Sequence, residues 1–375
     1  MNRRNDLIIH TDCRQYKGDR PCGPHKKDGR KCKGCSEYDP IEERILIIKL
    51  GAMGDVLRTT SILWGLKEEY PNSQIIWIVN PVSAPLLYNI SQIDQIWPLG
   101  VDILARLHVE RFDIVINMDL SPDSTSLASL VETDQLIGYR QGIRGEVLAA
   151  GVEAIPWLEM SLDDNLKKAN KKTYQQMMLD LLGLEPSSHN IIVNMNNKEL
   201  EYRSELQKRF HLRDTTPVIG FNIGAGGRWQ HKPWIVESYA ALAYELVDRY
   251  DAQIIILAGK DDSKRVAKFK SRCSVPVHDP GFESLRRFIS VVSVCDLVVT
   301  GDTLALHIAA GLGKKIAAIF GPTSAVEIEL YGLGSKITSE MDCLGCYLTK
   351  CDKDPNCMNS ISVEKVLGAI EDLLK

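Results

Sequence analysis

The sequence predicts an α/β protein made of two Rossmann-like, doubly wound domains facing a cleft, with cysteine-rich appendages at both ends. Three observations carry this. Short apolar runs alternate with longer amphipathic stretches, as parallel strands covered by helices on both faces require. The alternation occurs twice, with a polar Lys- and Asn-rich region between the two series. A chain of 375 residues is also too long for a single hydrophobic core, which stops growing near about 250–300 residues.

In chain order, residues 1–43 read as a basic, Gly- and Cys-rich appendage without helix or strand periodicity. The first domain, 44–205, opens with the strand ILIIKL (45–50) and the helix VLRTTSILWGLKEEY. The strand QIIWIVN (74–80), a proline-containing helix and the strand FDIVINMD (112–119) follow. LDDNLKKANKKTYQQMMLDLLGLEPSSHN reads as one long helix leaving this domain and stopped by Gly183 and Pro186. The second domain, 206–340, repeats the pattern: strands in PVIGFNIGAGG, AQIIILAG, DLVVTGD and KIAAIFGP, with helices in WIVESYAALAYELVDRY, LRRFISVVSVC and LALHIAAGLG. Residues 341–375 hold a second cysteine group and a closing amphipathic helix, ISVEKVLGAIEDLLK.

Composition narrows the function. Forty-five basic against 49 acidic residues give a formal charge of −4, which argues against whole-surface attraction to nucleic acid or anionic lipid. Any polyanion site must be local. The first residues lack the apolar core of a secretory signal, and no stretch approaches the roughly 20 apolar residues of a membrane-spanning helix. A cytoplasmic location is the expectation.

Ligands of parallel sheets collect outside the carboxyl ends of the strands, and three loops there carry chemistry. In GAMGD, Gly51 and Gly54 let a substrate approach the backbone and Asp55 projects from the first turn of the next helix. Asp is also a favoured helix cap, so capping is the competing reading. In TGDTLALH, Asp302 and Thr303 lie between a strand end and a helix start, where the amides of Thr303, Leu304 and Ala305 offer an anion site. Here too the alternative is an N-cap, and His307 reads as ligand or packed core histidine. In NIGAGGRWQHKPW, Arg228, His231 and Lys232 gather beside a diglycine turn, as suits a diphosphate; a solvated turn tolerates the same cations.

The stretches IIKLGAMGDVLRTTSILWGLKEEYPNSQIIWIV, GAGGRWQHKPWIVESYAALA and VVTGDTLALHIAAGLGKKIAAIFGPT together resemble the family 9 glycosyltransferases, the ADP-heptose lipopolysaccharide heptosyltransferases, over about residues 44–370. The resemblance implies a GT-B type fold, an acceptor-side first domain and a nucleotide-sugar-binding second domain. It places the general base on Asp55 beside Gly54, a donor-phosphate contact on Lys232 ahead of Trp234, and donor contacts on Asp302, Thr303 and His307. Leu304 stands where the family has glycine, which narrows the approach of a diphosphate. Asp262 is a candidate for the ribose hydroxyls, and Arg228 for the departing charge.

These assignments imply an inverting transfer of a sugar, heptose by family default, from an ADP-sugar to a glycan such as lipopolysaccharide core or to a protein hydroxyl. Cationic groups and helix amides take the place of a divalent ion, so no Mg²⁺ requirement is expected. A membrane-borne acceptor would bring the protein to the inner face of the cytoplasmic membrane; nucleic acid is not an expected partner. Two competing functions are an inert nucleotide-sugar or nucleic-acid binding module and a nicotinamide oxidoreductase, although GAMGDV lacks the GxGxxG spacing of the latter.

Eight of the ten cysteines fall in two groups: Cys13, Cys22, Cys32 and Cys35, then Cys343, Cys346, Cys351 and Cys357. Clustered thiols without a secretory signal predict metal ligation rather than a disulfide framework. The second group forms one tetrahedral set. Its likeness to the four-cysteine finger of protein-modifying heptosyltransferases keeps iron beside zinc. Eight Lys or Arg between Arg14 and Lys33 invite comparison with a nucleic-acid knuckle, but only Tyr16 supplies an interleaved aromatic. A solvated basic face or an anionic-acceptor contact fits better.

Overall fold

Isoleucine-rich runs set both halves of the molecule. Ile45, Leu46, Ile47 and Ile48 have no solvent-accessible surface, as expected of a strand covered on both faces. A computed structural model describes residues 8–224 and 231–375. Its first sheet contains β1 (Arg44–Ile48), β2 (Gln74–Val79), β3 (Gln95–Pro98), β4 (Phe112–Asn117), β5 (Thr133–Gln141) and β6 (Val147–Ala150). The order is β3-β2-β1-β4-β5-β6, parallel except for β6, which runs antiparallel to β5.

The second sheet contains β7 (Val218–Asn222), β8 (Gln253–Leu257), β9 (Val277–His278), β10 (Leu297–Gly301), β11 (Lys315–Phe320) and β12 (Gly334–Thr338). Its order, β12-β11-β10-β7-β8-β9, is the first sheet's order again, counted from β7. The two halves therefore share the dinucleotide-fold topology, in which the strand order reverses between the first and fourth strands and a crevice opens there. Two switch points result, one between β1 and β4, the other between β7 and β10.

Local chemistry explains where the elements differ from expectation. The single long helix expected over 162–190 is two pieces, Asp164–Ala169 and Tyr174–Leu182, preceded by the separate helix Ile155–Leu162. Asp163 is extended and its carboxylate accepts from the Asn165 amide, while Thr173 and Gln176 form a capping box that restarts the chain. Gly183 does end the last piece, at φ 64°. The helix after β1 breaks at Thr60 into Met53–Thr59 and Ile62–Glu69, and the proline-containing helix is one 3₁₀ turn, Ala84–Leu87. The strands β3, β5, β6 and β12 and the helix Asn197–Arg209 escape the apolar pattern because they are short, half-exposed or largely charged.

The N-terminal appendage sits at the strand-start end of the first sheet. Arg14 pairs with Asp94 and donates to the carbonyls of Asn72 (3.2 Å) and Ser73 (3.1 Å), ahead of β2 and β3. Among the described residues no helix is long and apolar enough to cross a membrane.

Candidate active site

The first switch point is built around buried charge. Lys49 follows β1 directly and is 2% exposed. Its ammonium pairs with Asp119, just past β4, and donates to the Tyr174 hydroxyl at 2.9 Å. The other Asp119 oxygen accepts the amides of Leu50 (2.7 Å) and Gly51 (2.8 Å). One carboxylate thus holds both the buried cation and the turn that leads into the Met53–Thr59 helix. Sequence reasoning passed over both residues, although each was visible as the one charge at the end of an apolar run.

Asp55 lies in the first turn of that helix and caps nothing: Ala52 occupies the N-cap position without a side-chain bond. Its carboxylate pairs instead with the buried Arg58, whose guanidinium lies 3.9 Å from the centroid of the Tyr174 ring. Burial pushes the Asp55 carboxyl up, but Arg58 and Lys49 outweigh it and hold the group at about 2. Asp55 is therefore ionised throughout the physiological range, with its side chain 34% exposed toward solvent.

The second switch point is built from hydroxyls, amides and one ion pair. Thr303 stands at the N-cap of the helix Leu304–Gly311 without a capping bond. Its hydroxyl is taken by Asn222, at the end of β7 (2.7 Å), and by Thr300 (3.0 Å), so the Leu304 and Ala305 amides keep no intrahelical partner, while the Leu306 amide donates to the Thr303 carbonyl at 3.1 Å. Ala305 is buried, and Leu304 packs half-buried against the second half's core. Lys232 meets Asp302 at 3.0 Å. Trp234 is fully buried, its indole N–H donating to the Ile361 carbonyl at 3.0 Å. Arg265, unsignalled in the sequence, donates to the carbonyls of Ile223 (2.9 Å) and Trp234 (2.6 Å) and so clamps both sides of the glycine-rich loop. Arg228 falls outside the described residues. Asp262 accepts the Gly259 amide at 3.1 Å and packs against Gly224, where burial raises its pKa.

The two switch points touch. His307 is 3% exposed, and a Cβ on Gly54 would lie 2.8 Å from its Cδ2. Only glycine allows that approach. Burial, then the charge of Arg58, lowers the His307 pKa to about 3, so the imidazole is neutral. Its Nε2 lies 3.9 Å from Asp302, and its buried Nδ1 has no partner among the described residues. Burial pushes Asp302 up, yet the charges of Lys232 and Arg58 bring it below the usual carboxylate range. Gly54, Asp55, Lys232, Asp302, Thr303, Ala305 and His307 are thus brought to one crevice; Asp262 stands at its edge, in the 3₁₀ turn Lys260–Asp262 that follows β8.

The cysteine groups do not converge in the same way. Among the described residues no three His, Cys, Asp or Glu side chains are placed to hold a metal ion. The C-terminal set comes nearer in its chemistry. Burial raises the Cys357 thiol, and the neighbouring Cys346, Cys343 and Cys351 add to the shift. These four thiols share one loop packed on Gly321.

Residues 102–355 match the glycosyltransferase family 9 (heptosyltransferase) model. Lipooligosaccharide heptosyltransferase 2 of Haemophilus influenzae is 26% identical over 310 residues, covering 75% of this chain and 84% of that protein. Among solved structures, a family 9 glycosyltransferase from Veillonella parvula superposes with a TM-score of 0.74 at 19% identity, covering 89% of this chain and 98% of that one. The iron-containing dodecameric glycosyltransferase TibC of enterotoxigenic E. coli gives 0.56 at 11% identity over 89% and 76%, and has also been solved with ADP-D-beta-D-heptose.

Proposed function

The chain belongs to glycosyltransferase family 9, and we propose that it is an inverting transferase that moves heptose from ADP-heptose to an acceptor hydroxyl at the crevice between its two sheets. Membership favours transfer over an inert binding module. The observation that supports the residue roles is the Gly54–His307 approach, which joins the helix of Asp55 to the helix that follows Asp302 and Thr303.

In this reading the diphosphate lies on the free amides at Thr303, Leu304 and Ala305, with Lys232 balancing the charge that grows as ADP departs. Asp55 accepts the proton of the acceptor hydroxyl as that oxygen forms the new bond to the anomeric carbon. The C–O bond to the diphosphate breaks on the opposite face. A carboxylate held at about 2 is a weak base while Arg58 is bound to it. An acceptor that displaces the guanidinium restores its basicity, which ties proton removal to a filled site.

The acceptor is a glycan, lipopolysaccharide core by family, or a protein hydroxyl, with the protein working in the cytoplasm at the inner face of its membrane. The far placement of the basic appendage argues against its touching the reacting sugar. The four C-terminal thiols are the donor set for a structural zinc or iron, and the N-terminal four are a second candidate. Metal analysis of the purified chain against Cys346→Ser and Cys32→Ser decides each; metal content unchanged by either substitution removes that site.

The direct test is incubation with a panel of nucleotide sugars without acceptor. Slow ADP release from ADP-heptose above all others is expected, and persists in EDTA. Preference for a different nucleotide, or loss in EDTA restored only by Mg²⁺, defeats the donor and charge assignments respectively.

A further inference from the structure

We propose that the cavity between the helix Asp164–Ala169 and the C-terminal cysteine loop is a subsite for one anionic sugar ring of the acceptor, held by Lys167, Lys168 and Thr323. This deepens the transferase reading and rests on it. The cavity encloses about 210 Å³, less than the roughly 300–1,000 Å³ that takes a whole drug-sized ligand. It suits one ring of a longer molecule.

Its lining has two chemical sides. Phe320, Leu344 and Tyr347 give an apolar wall, as the C–H face of a sugar needs, and among the described residues no acidic one lines the space. The charge comes from Lys167, whose ammonium lies over the Tyr347 ring 3.6 Å from its centroid, and from the exposed Lys168. The ion pairs found among the described residues include neither lysine. Two cations without a carboxylate call for an anion. Thr323 adds a polar group: it lines the cavity, is 9% exposed, and its hydroxyl is not among the fully buried polar atoms without a partner, so it faces solvent there and is open to a ligand hydroxyl.

Position links the subsite to the transfer. The cavity opens at the carboxyl end of β11, which pairs with β10, the strand that carries Asp302. The Tyr347 hydroxyl donates to Glu327 (2.8 Å), and the Glu327 carbonyl accepts the Tyr174 amide (2.9 Å). Tyr174 in turn supports Arg58, the partner of Asp55. Contacts therefore run unbroken from the cavity to the proposed base. A ring bound there bridges a helix of the first half and a loop of the second.

The test uses the full chain with saturating ADP, so that the donor site is blocked, and titrates glucuronate, glucose 6-phosphate and glucose by calorimetry or NMR. One of the two acids should bind at least about tenfold more tightly than glucose, and which one tells a carboxylate site from a phosphate site. Lys167→Ala/Lys168→Ala should abolish that preference. Thr323→Val, nearly isosteric, should weaken the acid several-fold and guards against a misfolded double variant. In turnover the double variant should raise the acceptor KM about tenfold or more while kcat changes less than about threefold. Equal affinity for all three sugars, no binding at all, or unchanged binding by the double variant overturns the subsite. A chain that binds the acid yet turns over no nucleotide sugar keeps the subsite and defeats the transferase reading instead.

Discussion

The two halves repeat one strand order and differ in what they place at the switch point. After β1 and β4 the first half buries opposite charges, Lys49 against Asp119 with Tyr174, Arg58 and Asp55 beside them. After β7 and β10 the second half sets hydroxyls and backbone amides, Asn222, Thr300 and Thr303, with the single pair Lys232–Asp302. The same backbone thus yields a site that holds a fixed negative charge and a site that receives one. What differs is four or five side chains at strand ends, since the crevice itself comes from the topology.

The contrast is broken most severely at Asp55. Asp55→Asn should lower kcat by about 10²–10⁴ while ADP affinity, measured by calorimetry, stays within about twofold because the nucleotide sits on the other half. An unchanged rate would leave Asp55 a partner of Arg58 and nothing more.

Next in size is the buried pair. Asp119→Asn strands the Lys49 ammonium in the first core and should cost about 3–5 kcal/mol in urea unfolding. Lys232→Met, at a pair whose side chains are 15% and 19% exposed, leaves Asp302 with the charge of Arg58 nearby and should cost less, about 1–3 kcal/mol of stability. Equal losses would erase the distinction between the halves.

Gly54→Ala tests their contact. A methyl group 2.8 Å from His307 Cδ2 has no room beside a buried ring and should move the helices apart. A shift of that kind costs about 10² in kcat/KM. His307→Ala in the same chain should restore part of it, and a plain sum of the two single effects would mean that the contact is not what the methyl disturbs.

The most gradual effect is a pH slope. His307 is held neutral, its pKa lowered from 6.5 to about 3, so between those values the unfolded chain binds a proton that the folded chain refuses. Stability should rise with pH over that window, by up to about 1.4 kcal/mol per unit, and be fully present above 6.5. Asp55, also depressed, adds its loss only as pH falls below its ordinary 3.8 toward 2. His307→Gln should flatten the slope between pH 4 and 6.5 in urea midpoints and leave the part below 4.

The sequence by itself determined the two largely parallel sheets and the loops that carry chemistry, with Asp55, Lys232, Asp302 and Thr303 as candidates on them, because buried strands need unbroken apolar runs and turns at their ends need glycine and polar side chains. It also left plain marks at Lys49 and Asp119. It could not tell a cap from a paired carboxylate at Asp55, nor an exposed helix from two short ones over 164–182, since capping bonds depend on local backbone angles that several polar residues satisfy equally well. Tertiary structure alone decided that Gly54 faces His307, that Arg58 lies on Tyr174, and that Lys167 and Thr323 look into one cavity. Each of these pairs is separated by more than a hundred residues or lies on a short helix turned by its neighbours, and chain distance carries no record of which strand ends will meet.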